Sequence, residues 1–278
     1  MRIPSISILK RSIMTQALSD SWVPFTLVDT TQYNHNTRKY RFAFPDGEDK
    51  VIGGEVAMAL GIKPEDEHDI KDEKGNPVMR PYTPISPPET KGHADFLIKE
   101  YANGKISPYL ASLKPGDTAL FKGPFQKFVY QPNTFDRGLC ISGGAGITPF
   151  IQLIRHSLKK TEDKTKWTLL YGNVTEEDIL LREEFDELLK QHPDRLVIHH
   201  VIEKPSSSWT GDKGYITAET IQKAFPRPEG SQETVRAFVC GPPGQMKAIC
   251  GMKNGMKQGT LEGALKDIGY EQSEVFKY

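Results

Sequence analysis

Cysteine is scarce in this chain. Three of 278 residues, Cys140, Cys240 and Cys250, make an odd number without a Cys-x-x-Cys pair. That argues against a disulfide framework and shows no zinc or iron–sulfur ligand set. An excess of one charge is missing too, since 36 Lys plus Arg balance 36 Asp plus Glu. No global field therefore draws the chain to nucleic acid or to a membrane surface. Apolar runs stay far below the ~18–20 residues that cross a bilayer, and no internal repeat is visible. What remains is a chain long enough for two domains of ordinary size.

Residues 1–21 differ in composition from the rest. Arg2, Lys10 and Arg11 alternate with Ser5, Ser7, Ser12 and with Ile3, Ile6, Leu9 and Ile13, and no acid precedes Asp20. This is the composition of a mitochondrial targeting segment, or of a plain frayed terminus.

From residue 22 to 130 the pattern is all-β. Tyr40, Phe42 and Phe44 alternate with Arg41 and Ala43, Phe96 and Ile98 repeat the period, and Ala119–Phe121 follows a Lys-Pro-Gly-Asp turn. The charged stretch 63–77 reads as a solvated loop, and residues 131–137, with Pro132 and Asn133, as a linker. From 138 to 278 strands at 138–141, 166–171, 195–201 and 236–240 alternate with helices at 149–160, 176–190, 217–225 and 244–251. Such alternation predicts a parallel sheet with helices on both faces. Thr175-Glu176-Glu177-Asp178 has the form of a capped helix start.

Five places can carry chemistry. Gly144-x-Gly146-x-x-Pro149 follows a strand and opens a helix, as phosphate-cradling turns do, although plain strand–turn–helix junctions look alike. Arg80-Pro81-Tyr82-Thr83 offers a fork for phosphate and a flat ring on a rigid extended segment. Lys99, Tyr101 and Gly104-Lys105-Ile106-Ser107 combine a tight turn with two cations. Cys240-Gly241-Pro242-Pro243, with Met246, falls at the carboxyl edge of the second sheet, where open α/β folds bind ligands. Glu203 ends another strand, where a carboxylate can accept from ribose hydroxyls and repel a 2′-phosphate. Each alone has a bland alternative as a turn or a solvated charge.

Together these segments resemble the ferredoxin-reductase-like flavoenzymes, and within them the NADH-cytochrome b5 reductase family, over residues 22–278. His35-Asn36-Thr37-Arg38, Leu169-Leu170-Tyr171-Gly172-Asn173, Asp178-Ile179-Leu180-Leu181-Arg182 and the tail ending Val275-Phe276-Lys277-Tyr278 are similar to that family, the tail to its fungal mitochondrial form. The resemblance implies a β + α/β fold: an antiparallel six-stranded FAD-binding β-barrel followed by a Rossmann-like, parallel-sheet NADH-binding domain. It implies that Arg80 holds FAD pyrophosphate, Tyr82 lies along the flavin and Thr83 meets flavin N5. Pro81, Leu97, Ile98, Lys99, Tyr101, Gly104, Lys105, Ile106, Ser107 and Thr148 fall on further FAD contacts. Gly144, Gly146, Pro149, Glu203, Cys240, Gly241, Pro242, Pro243 and Met246 fall on the NADH side, and the roles in the reaction belong to Thr83, Lys99 and Cys240.

The implied activity takes hydride from NADH to FAD and passes single electrons to a haem acceptor, cytochrome b5 by resemblance. A ferredoxin-like or quinone acceptor, or a non-catalytic nucleotide-binding subunit, remain open. A monomer is expected, with Lys39, Arg41, Lys122 and Lys127 as a basic docking face. Asn36 stands where the family usually has aspartate, Gly123-Pro124-Phe125-Gln126 lacks a second glycine, and Glu203 replaces an aspartate. The usual hydrophobic anchor is absent from the sequence, leaving mitochondrial and cytosolic locations open.

Overall fold

The computed structural model describes residues 16–18, 21–45, 47–65, 70–227 and 230–278. Most of the basic, serine-containing N-terminal stretch lies outside the described residues.

Six strands build the first sheet: β1 (Val23–Asn34), β2 (Thr37–Ala43), β3 (Met58–Lys63), β4 (Arg80–Tyr82), β5 (His93–Lys99) and β6 (Thr118–Gln126), in the order β4-β3-β6-β1-β2-β5. Every pairing is antiparallel. The alternation of Tyr40, Phe42 and Phe44 puts all three on the buried face. Phe25 stacks on Phe121 at 4.5 Å between centroids, and Phe42 meets Phe121 edge-on at 4.9 Å. Burying each such side chain contributes ~1.5–3 kcal/mol. The barrel closes between its edge strands without a ladder. The Ile85 N–H donates to Asp95 O at 2.8 Å, and the Asp95 N–H donates to Ser86 Oγ at 3.0 Å. A short helix, α1 (Ile106–Ser112), follows β5.

The second sheet is wholly parallel: β7 (Arg137–Gly143), β8 (Lys166–Asn173), β9 (Leu196–Ile202), β10 (Asp212–Lys213), β11 (Val235–Cys240) and β12 (Val275–Lys277), ordered β10-β9-β8-β7-β11-β12. Successive residues bury into opposite cores. Cys140, Leu169 and Phe238 share one core, and Leu139, Ile141, Leu170 and Val239 share another. Helices α2 (Thr148–Lys159), α3 (Arg182–Gln191), α4 (Ala218–Ala224), α5 (Pro243–Ile249) and α6 (Gly263–Asp267) connect the strands. Strand order runs outward from β7 in one direction and then outward from it in the other. The crevice between the ends of β7 and β11 is thus a topological switch point, where such sheets bind ligands.

The helix expected over 176–190 is not continuous. A single 3-10 turn spans Glu176–Asp178, Leu181 takes a left-handed φ of 56°, and the helix begins only at Arg182. The capping box is present, but it caps that one turn. Ile179, Leu180 and Leu181 are all buried. Ile179 is extended, and the Leu180 and Leu181 N–H groups go to the Tyr171 and Tyr33 hydroxyls, which takes this stretch of backbone out of the helical ladder. The short strands β10 and β12 were not anticipated.

The two sheets are joined by specific bonds. From α2, Gln152 Nε2 donates to Pro84 O at 2.8 Å and Arg155 Nη1 to Ile85 O at 3.0 Å. From the β1–β2 hairpin, Asn34 Nδ2 donates to Glu177 O at 2.9 Å, and Tyr33 Oη accepts from the Leu181 N–H at 2.9 Å.

Candidate active site

The glycine turn follows β7 directly. Gly143 ends the strand, a 3-10 turn covers Gly144–Ile147, and α2 starts at Thr148 with Pro149 in its first turn. The proline costs nothing there, because its missing N–H would be unpaired. Gly144 has a φ of +49° and open space where a Cβ would stand. Its carbonyl accepts from Tyr171 Oη at 3.0 Å, and the same hydroxyl accepts the Leu180 N–H at 3.2 Å. Gly146 is small for another reason. A Cβ there would lie 2.2 Å from the Cys240 carbonyl oxygen. The Gly-x-Gly and Cys-Gly-Pro-Pro turns, separate in sequence, are thus packed backbone to backbone at the switch point.

Above them is a pocket of about 430 Å³ walled from both sheets. Lys99 and Tyr101 come from the end of β5 and the residues after it. Gly144, Asn173, Glu203, Tyr215, Pro242 and Gln245 come from the carboxyl edge of the parallel sheet. The Gln245 Nε2 is buried with no hydrogen-bond partner among the described residues. A buried donor in that state is costly unless a ligand pairs with it. Glu203 and Tyr215 both line the pocket, and the carboxylate beside it raises the phenol. The neighbouring Glu203 N–H is fixed on Asn173 O at 2.9 Å.

Of the residues singled out in the sequence, Lys99, Tyr101, Gly144, Glu203 and Pro242 line this pocket. Arg80, Pro81 and Tyr82 form β4 at the barrel edge, followed by Thr83, outside the pocket. The Arg80 guanidinium is exposed and donates to Met79 O at 2.9 Å. Tyr82 is half-buried, and burial raises its phenol, which stays neutral. Leu97 and Ile98 point opposite ways on β5, one into the core under α2 and the other into the barrel. Gly104 turns the chain so that its N–H donates to Tyr101 O at 2.7 Å, while Ser107 Oγ accepts the Tyr101 N–H at 3.1 Å. Lys105, expected to meet phosphate, donates to the Lys71 carbonyl. Ile106 is buried in the barrel core, and Thr148 Oγ1 donates to Ala145 O at 3.3 Å.

Gly241 lies against the Gln245 side chain, and Pro243 opens α5. Met246 packs into the core beneath α5 rather than lining the pocket. Burial pushes the Cys240 thiol up to about 12, so it is neutral at physiological pH. A neutral thiol shapes a surface; it does not act as a nucleophile.

Arg41 and Lys39 are not free cations. Arg41 grips Asp95 through Nε at 2.7 Å and Nη2 at 2.9 Å, and Lys39 Nζ stands 3.7 Å from the same carboxylate. Burial opposes ionisation of Asp95, but Arg41, Lys39 and His93 outweigh it and lower its pKa.

Comparison with known proteins decides the family. Residues 24–130 match the model of the oxidoreductase FAD-binding domain, and residues 140–251 that of the oxidoreductase NAD-binding domain. NADH-cytochrome b5 reductase 2 of Aspergillus terreus is 45% identical over 92% of this chain and 78% of its own length. The protein of the same name from Candida glabrata is 42% identical over 92% of this chain and 84% of its own. The chain belongs to the NADH-cytochrome b5 reductase family. Among solved structures, the cytochrome b5 reductase domain of Ulva prolifera nitrate reductase superposes with a TM-score of 0.79. It is 28% identical and covers 95% of this chain and all of that one, 100%. The reductase is therefore an oxidoreductase with FAD- and NAD-binding domains, and the pocket at the switch point is lined by residues of both.

Asp178, Asn173, Tyr215 and Gln245 were not singled out as site residues by the sequence. Asp178 sits in the Asp178–Arg182 motif, but only the fold shows that it faces Lys99. The aromatic Tyr215, twelve residues past Glu203, carried no local signal.

Proposed function

We propose that this reductase takes hydride from NADH and delivers single electrons to cytochrome b5 or a similar haem protein. The observation that supports it most is a single pocket walled by Lys99 and Tyr101 from one sheet and by Gly144 and Glu203 from the other. A two-nucleotide reaction requires that arrangement, because its work is bringing two bound cofactors into one orientation. When bound, FAD and NADH would supply the redox chemistry: NADH would give a hydride to FAD, and the reduced FAD would pass its two electrons on one at a time and release the proton.

The chain's residues hold and orient. Arg80, exposed at the barrel edge, and the turn at Gly104–Ser107 hold the FAD diphosphate, with Tyr82 and Thr83 beside the ring. The open backbone at Gly144 and the first turn of α2 take the NADH diphosphate. Glu203, steadied by Tyr215, accepts from the adenosine ribose. The longer glutamate still presents charge where a 2′-phosphate would sit, so NADH is preferred over NADPH. Lys99 lies at the seam between the two, and the neutral Cys240 thiol bounds the nicotinamide end.

No helix among the described residues is long and apolar enough to cross a membrane. A mitochondrial location rests on the composition of residues 1–21 and on the likeness of the C-terminal tail to the family's fungal mitochondrial form. The purified protein tests the reading. It is expected to carry a yellow flavin spectrum, to bleach with NADH faster than with NADPH, and to reduce added cytochrome b5. A protein reconstituted with FAD that stays unbleached by NADH would sink the proposal, and bleaching without cytochrome b5 reduction would move the acceptor to a ferredoxin-like or quinone partner.

A further inference from the structure

We infer that Asp178 is a positioning residue: its two carboxylate oxygens tie the barrel's Lys99 to the segment that leads out of β8, and so set how the pocket's two walls face each other. The division of labour between the oxygens carries the argument. Oδ1 faces the barrel, with Lys99 Nζ at 3.3 Å, Asn36 Nδ2 at 3.4 Å and His35 Nε2 at 3.7 Å. Oδ2 faces its own segment, accepting the Thr175 N–H at 3.1 Å and Thr175 Oγ1 at 3.2 Å. A plain turn cap needs only the second set. The first set recruits three groups of the other sheet, His35 and Asn36 from the β1–β2 turn and Lys99 from the end of β5.

The tie is also well placed and firm. Asp178 and Lys99 both line the pocket, their side chains only 8% and 22% exposed, so water screens the pair weakly. Burial disfavours the charge, yet Lys99, the Thr175 N–H and Asn36 hold the carboxyl below its usual range. It is ionised at neutral pH. Asn36 fits the same site: an aspartate at 36 would bring a second carboxylate to Oδ1, whereas the amide donates to it.

The inference rests on the proposed NADH reaction, and rapid-mixing kinetics on the FAD-loaded full chain separate the two. If the unaltered protein is not bleached by NADH, the functional reading fails before Asp178 is tested. If it is bleached, Asp178→Asn is compared with it. An asparagine can accept on one face only, because its amide nitrogen is a donor and would turn toward the donors of the other face. Misplacing reacting groups by about 1 Å costs as much as ~10²-fold, so flavin reduction at saturating NADH is expected to slow about tenfold, with the half-saturating NADH concentration within threefold. A merely structural role would not give that split. Thr175→Ala removes a cap bond but leaves the Lys99 pair, and is expected to reduce at the unaltered rate. The inference is overturned if Asp178→Asn reduces within twofold of the unaltered protein, or if Thr175→Ala slows equally. Should Asp178→Asn shed its flavin, Asp178→Glu takes its place: a rate at least threefold slower supports the tie, and a smaller change overturns it.

Discussion

The carbonyl oxygen of Cys240 stands 2.2 Å from where a side chain on Gly146 would begin. The obstruction is backbone, so it cannot rotate aside. Gly146→Ala must push β11's exit turn away from the glycine turn. Overpacking of this kind typically costs ~1–3 kcal/mol, so the melting temperature should drop and NADH should bind more weakly. Thermal unfolding with and without NADH measures both, and an alanine variant with an unchanged melting temperature would refute the close packing.

Gln152 joins the helix of the glycine turn to the segment just past Thr83, through its bond to Pro84 O. Gln152→Leu leaves that carbonyl buried without its donor, at a cost of ~1–3 kcal/mol. Because Pro84 adjoins the proposed flavin contact, the variant should also hold FAD less tightly and shift its visible spectrum. Equilibrium dialysis and absorbance spectra test this, and loss of stability with an unaltered spectrum would limit Gln152 to packing.

Glu203 and Tyr215 make a graded pair. Glu203→Ala removes the charge that opposes a 2′-phosphate, and should bring the NADH and NADPH efficiencies at least tenfold closer, ~1.4 kcal/mol. Tyr215→Phe keeps the charge but frees it, so the change should have the same sign and be smaller. Ratios of kcat/KM for the two nucleotides decide the matter.

Asp95 provides a pH test that does not touch the pocket. Its folded pKa is lowered, so its contribution is present above the unfolded value of ~3.9 and is lost as pH falls through the folded pKa. Arg41 is partly exposed, which limits the pair to about 1 kcal/mol. Asp95→Asn should therefore melt lower than the unaltered protein at pH 7, with the gap closing below about pH 4. A gap that persists at low pH would mean the loss is steric. Arg41→Ala should likewise cost stability more than it affects docking of an acidic partner.

Much of this was legible in the chain itself. The alternation of Tyr40, Phe42 and Phe44 and the strand–helix period after residue 137 determined one antiparallel and one parallel sheet, because periodicity is a local property of burial. The glycine and Arg-Pro-Tyr-Thr motifs were visible for the same reason: turns and rigid segments are made by neighbouring residues. Where periodicity failed, at Ile179–Leu181, hydrogen bonds from the backbone to the distant Tyr171 and Tyr33 hydroxyls overrode a well-capped helix start.

Only the tertiary structure decided what depends on residues far apart in sequence. Gly146 is required because of Cys240, Arg41 is spent on Asp95, Lys105 turns to a carbonyl, and Asp178 meets Lys99 across the joint. No local pattern encodes these partners, since an ion pair or a close backbone contact is set by where two chains cross in space. The glycine turn could be read from the sequence as a phosphate cradle; that it is one wall of a pocket completed by the barrel could not.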